Sequence, residues 1–188
     1  TTTRGDGFVA KVDPDGSFAW AKQINSASGY VYGISPSVLT DGSVIVTGCF
    51  GGTTAFGSIS LTRAGSWDNF ITQLDSSGSF VWASRAGGTS NASFCGTSVS
   101  ALPDGSAIYY VQNGLSEGSS SSRIIRYSIA KKSTTRIGEK GLVQPAISPD
   151  GRWIAATRIS ARGTDVVIMN AVTGELVLEM TRTGKSWA

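Results

Sequence analysis

Two kinds of short segment recur along this chain, each folded back on a tight turn. The stretch from Asp6 to Lys22, with Phe8, Gly16 and Trp20, returns 62 residues later from Asp68 to Ser84, with Phe70, Gly78 and Trp82 at the matching places. A second unit, Ser37-Val-Leu-Thr-Asp-Gly-Ser, returns 63 residues later as Ser100-Ala-Leu-Pro-Asp-Gly-Ser, and again from Ala146 with its turn at Asp150-Gly151. Fixed-period self-similarity of this kind is the mark of a repeat architecture. Asp-Gly and Ser-Gly flanked by alternating apolar residues predict β-hairpins, because Asp accepts hydrogen bonds from its own turn and Gly enters the left-handed region. The turn residues so read are Asp15, Gly16, Asp41, Gly42, Gly78, Asp104, Gly105, Asp150 and Gly151. No segment carries a helical period, and the 24 glycines disfavour helix.

Seven hairpins emerge. The Asp-Gly kind covers about 33–48, 96–111 and 144–158; the other kind covers about 6–23, 68–85, 123–137 and 165–180. Paired in order they give four-stranded antiparallel units, the blades of an all-β β-propeller. Long Gly/Ser loops are expected at 49–66 and 114–122. The hairpin at 6–23 is left unpaired, so the expectation is about three and a half blades in one unit spanning 1–188. Such a count leaves apolar surface and a sheet edge open, which a second copy of the chain would cover. A homodimer forming one ring of seven or eight blades is therefore expected.

Composition changes near Gly105. Residues 1–105 hold five Lys or Arg against seven Asp, a net of −2, and all seven Phe; residues 106–188 hold eleven basic against six acidic residues, a net of +5, with all four Glu and both Met. The first part, with Asp-x-Phe-Val-x-Lys-Val-Asp followed by Gly16 and Trp20-Ala-Lys, resembles the bacterial seven-bladed propeller repeat family. The second part, with Gln144-Pro-Ala-Ile-Ser-Pro-Asp-Gly-Arg-Trp-Ile-Ala and then Asp165-Val-Val-Ile-Met-Asn, is similar to the WD-like repeats of periplasmic translocation and peptidase-associated propellers. The resemblance implies architecture and brings no catalytic residue. Both types share the turn at Asp104-Gly105-Ser106, so the chain reads as a chimera, engineered or natural, joined where strand register is preserved.

The candidate chemistry is sparse. With no His, the commonest general base and metal ligand is missing, and there is no phosphate loop. The reading is a structural scaffold, not an enzyme, with no cofactor and no metal. A carbohydrate- or protein-binding module is the first alternative; a glycosidase-like enzyme built on carboxylate pairs is the second. Asp13-Pro14-Asp15-Gly16 lacks the later ligands of a calcium loop and reads as a turn. Arg4-Gly5-Asp6 spells an integrin-binding tripeptide, yet Asp6 sits at the repeat position of Asp68. Phe8, Trp20, Phe70, Trp82 and Trp153 are expected to pack the blades, and Trp187 is a possible ligand contact. Tyr109-Tyr110 puts one ring on each strand face, so at least one belongs to the core. Cys49 and Cys95 permit one bridge, but free thiols are the favoured reading.

The +5 half carries its basic residues dispersed, with no interleaved aromatics, so nucleic acid is not an expected partner. Apolar runs are strand-sized, so no membrane span is expected, and no signal peptide is expected in the given sequence. The chain is expected to be soluble, and the repeat families imply an extracytoplasmic origin.

Overall fold

Alternation of buried and exposed residues along short strands sets the architecture. The structure, a computed structural model, describes residues 5–86, 99–112, 122–161 and 163–180. Among the described residues sixteen strands form four four-stranded sheets, every neighbouring pair antiparallel. The first sheet orders β1 (Gly7–Val12), β2 (Phe18–Ser28), β5 (Thr53–Phe56) and β6 (Ile59–Thr62). The second orders β3 (Val31–Val38), β4 (Val44–Phe50), β7 (Asp68–Leu74) and β8 (Phe80–Ala86). The third orders β9 (Val99–Ala101), β10 (Ala107–Gln112), β11 (Arg123–Ser128) and β12 (Ser133–Ile137). The fourth orders β13 (Leu142–Ile147), β14 (Trp153–Ser160), β15 (Gly163–Asn170) and β16 (Leu176–Met180).

The hairpins at 33–48 and 68–85, at 96–111 and 123–137, and at 144–158 and 165–180 share sheets in those pairs. Where about three and a half blades were expected, the described residues form four sheets. Residues 49–66 are not a plain loop, because β5 and β6 form a hairpin within them. β5 continues the first sheet by pairing Asn25 with Ala55 and Ser26 with Thr54. The cause is local and tertiary together: Thr53–Phe56 and Ile59–Thr62 are β-prone, Gly57 takes φ +61 in the turn between them, and β2 runs on to Ser28 to receive them. The other expected loop, at 114–122, falls almost wholly outside the described residues.

Three apolar layers lie between successive sheets. Because strand side chains alternate, each inner strand serves two layers. Val44, Val46 and Phe70 join Val9, Ile24 and Phe56 between the first and second sheets, whereas Ile45 and Ile71 join Val99 and Ile108 between the second and third. β4 is therefore buried along its whole length. Tyr109, Ile124, Ile154, Val167 and Met169 fill the third layer. Tyr109 is fully buried and its hydroxyl donates to the Ala171 carbonyl at 2.7 Å, which satisfies the polar end.

Serine hydroxyls stitch successive sheets at matching places. Ser37 Oγ accepts the Ala101 N–H at 3.1 Å, and Ser100 Oγ accepts the Ile147 N–H at 3.0 Å. Ser37 and Ser100 are the same position of the second repeat.

Candidate functional site

The recurring acidic residues sit in the hairpin turns. Asp15, Asp41, Asp75, Asp104 and Asp150 each accept, through Oδ1, the N–H of the residue two places on, at 2.9–3.1 Å. The partner glycines Gly16, Gly42, Gly78, Gly105 and Gly151 have φ between +71 and +86. Serine hydroxyls add a second bond to Asp15, Asp41, Asp75 and Asp150, which holds these carboxyls below the ordinary value, Asp150 at about 2. The Ser106 N–H acts likewise on Asp104. A glycosidase acid needs the opposite environment, one that raises its pKa and keeps a proton.

The aromatic repeat positions are not equivalent in place. Phe70 is 0% exposed, with Phe56 at 4.8 Å between ring centroids. Phe8 is 72% exposed, which corrects the expectation that it packs inside a blade. The reason is topological: β7 faces the first sheet, whereas the equivalent face of β1 has no sheet before it among the described residues. Trp20 and Trp82 are half-buried; Trp20 Nε1 donates to the Ser76 carbonyl at 3.1 Å and Trp82 Nε1 to Gln73 Oε1 at 2.7 Å. Trp153 is half-buried at the start of β14. Trp187 and Arg4 lie outside the described residues.

Two apolar faces stand open at opposite ends of the stack. On the first sheet Phe8, Val12 and Phe18 are exposed; on the fourth, Val166, Leu178 and Met180 are exposed on one face, since Val166 pairs with Met180 and Ile168 with Leu178.

Sequence reasoning missed a charged cluster in the fourth sheet. Arg158, about four-fifths buried, donates to Glu139 and Asp165 at 3.0 Å and contacts Glu179 more closely. The four side chains line a cavity of about 840 Å³ together with Lys140 and Ser160. The only advance signal was Asp165 at the repeat position of Asp68, which pairs with Arg85 at 2.8 Å. Asp6 completes the pattern, accepting from Gln23 at the position of Arg85.

Cys49 is disulfide-bonded, which corrects the favoured free thiol. Cys49 is wholly buried on β4. Cys95 lies outside the described residues. Among the described residues no helix is long and apolar enough to cross a membrane.

No protein-family model matches the chain, and no curated protein matches it. Solved structures match its fold. The β-propeller domain of the Trilobed protease from Pyrococcus furiosus aligns at 15% identity and a TM-score of 0.53, over 82% of this chain and 44% of that one. The Dos1 propeller aligns at 15% identity and a TM-score of 0.52, over 97% of this chain and 44% of that one. The acylaminoacyl peptidase of Pyrococcus horikoshii aligns at 15% identity and a TM-score of 0.51, over 82% of this chain and 26% of that one. The fold is a β-propeller with four blades described in this chain, and the chain spans less than half the length of each of these structures.

Proposed function

We propose that the chain is a structural scaffold that self-associates, two copies joining through their open end sheets into one ring of eight blades, without catalysis of its own. The exposed Phe8 carries this reading: its repeat-mate Phe70 shows what that position does when a neighbouring sheet covers it. The fourth sheet of a second copy offers the matching apolar face at Val166, Leu178 and Met180. A two-fold axis would cover both ends alike, and eight blades lie within the range of closed propellers.

We also read the chain as a chimera of two repeat types, 1–105 and 106–188. The support is the contrast between a −2, Phe-rich part and a +5 part holding all the Glu and Met. The shared turn at Asp104-Gly105 lies between β9 and β10, so the parts meet within one sheet. The disulfide at Cys49 supports an extracytoplasmic origin, where such bonds persist.

The test is light scattering of the purified chain at micromolar concentration. A particle of twice the chain mass that dissociates on dilution is expected; a well-behaved monomer overturns the reading.

A further inference from the structure

The first sheet has four strands, but they do not match the four of the second. β1 and β2 occupy the repeat positions of β7 and β8, which are the third and fourth strands of their sheet. There β4 pairs along the whole of β7, from Phe50 opposite Asp68 to Val44 opposite Leu74. β1 has β2 on one side and, among the described residues, no strand on the other. The first sheet reaches four strands through the β5–β6 hairpin, which adds beyond β2. Each of the other three sheets begins with a hairpin of the second repeat: β3–β4, β9–β10 and β13–β14.

β3 registers the difference. Val38, Ala101 and Ile147 hold one position of the second repeat, just after Ser37, Ser100 and Ala146. Ala101 is 8% exposed, packed with Leu39 and Ile45 of the preceding sheet, and its N–H donates to Ser37 Oγ. Ile147 packs on the third apolar layer, and its N–H donates to Ser100 Oγ. In both cases the serine comes from the second-repeat hairpin of the sheet before. Val38 is 70% exposed, and among the described residues no side chain accepts its N–H.

We propose that the edge of β1 and the exposed Val38 together dock a β-hairpin of the second repeat carried by another polypeptide. One strand of that hairpin adds antiparallel to β1, and the other covers Val38. A second copy folded as this chain does not supply it, because β3–β4, β9–β10 and β13–β14 are each built into a sheet already. The register follows from β4 on β7, where Gly48, Val46 and Val44 stand opposite Phe70, Thr72 and Leu74. The incoming strand sets the same spacing against Phe8, Ala10 and Val12. Its residue opposite Phe8 is glycine: a Cβ at Gly48 would lie 2.7 Å from the Phe70 ring and 2.8 Å from the Tyr32 carbonyl oxygen. Val111 and Thr157 take that position where the smaller Ile124 and Val166 stand opposite. A serine four places before the turn aspartate accepts the Val38 N–H, as Ser37 accepts that of Ala101. The occupant therefore reads Ser-x-Leu-x-Asp-Gly-x-Val-x-Val-x-Gly.

The experiment adds a synthetic peptide of the sequence 35–50, with Cys49→Ser, to the full chain at a dilution where it is monomeric, and reads hydrogen exchange by mass spectrometry. Binding of one peptide per chain, saturating by about 1 mM, is expected. Exchange should slow over Gly7–Val12 and stay unchanged over β16, the open edge of the fourth sheet. The peptide with Gly48→Val should bind about tenfold more weakly, since its branched side chain meets Phe8. Val38→Lys in the chain, at an exposed site that leaves the fold intact, should weaken the parent peptide to a similar degree. Slowed exchange at β16 instead of β1, no protection of β1 at about 1 mM, or parental affinity with either substitution overturns the proposal. A chain that stays monomeric at every concentration yet takes up the hairpin at β1 upholds this site while overturning self-association.

Discussion

Phe70 and Phe8 occupy the same repeat position 62 residues apart, yet Phe70 is 0% exposed and Phe8 is 72% exposed. The difference lies in what stands opposite: Phe56 and Phe50 meet Phe70, at 4.8 and 6.4 Å between centroids. Burial, not sequence, separates the two.

Phe70→Ala should therefore lower stability by about 3–5 kcal/mol, as truncation of a buried aromatic does. Phe8→Ala should change the stability of the isolated chain by less than about 0.5 kcal/mol. Phe8→Asp should instead drive the association equilibrium towards monomer. Urea denaturation measures the first two and sedimentation equilibrium the third.

The turn carboxylates predict an acid dependence. Asp15, Asp41, Asp75, Asp104 and Asp150 titrate below their ordinary range because serine and backbone donors stabilise the ionised form. A depressed folded pKa contributes stability above the unfolded value of about 3.9, lost as pH falls through the folded value. Melting temperature should hold down to roughly pH 4 and then decline towards pH 2, the region where Asp150 titrates. Carboxyl ¹³C shifts followed against pH check the order, with Asp150 protonating at about 2.

Arg158→Met should destabilise the fourth sheet. Arg158 holds Glu139, Asp165 and Glu179 together, and its removal leaves carboxylates from three elements facing one another. Asp165 is the most buried of them. A loss of about 1–3 kcal/mol is expected, smaller than for a dry ion pair because Glu139 is well exposed. Rescue by the further change Asp165→Asn would show that the uncompensated charge is the cause.

The disulfide at Cys49 sets a chemical test. The sequence holds two cysteines, so the native chain should take up no alkylating agent without reductant and two equivalents after reduction and unfolding. Reduction should lower stability by about 2–4 kcal/mol, the usual worth of a native bridge. Intact mass and a melt with and without reductant measure both.

Much of the architecture was legible because hairpins are local. Asp104-Gly105 needs only its own neighbours to turn the chain, and the apolar run at Val44–Val46 reads as a buried strand from its residues alone. The hairpin β5–β6 was not legible: Gly57 and Ser58 suggested loop, and β5 finds its partner in β2, some thirty residues back. The aromatic stack escaped notice because Trp67, from the connection before β7, meets Tyr30 and Tyr32 some 35 residues earlier in the chain. The Arg158 cluster draws on residues from 139 to 179. Local sequence patterns thus determined the strands, their turns and the pairing of hairpins into four-stranded sheets. Only the tertiary structure decided that there are four sheets, which repeat aromatic is covered and which charges meet. Turn formation depends on the φ and hydrogen bonds of a few adjacent residues, whereas burial and charge pairing depend on whatever distant strand comes to lie alongside.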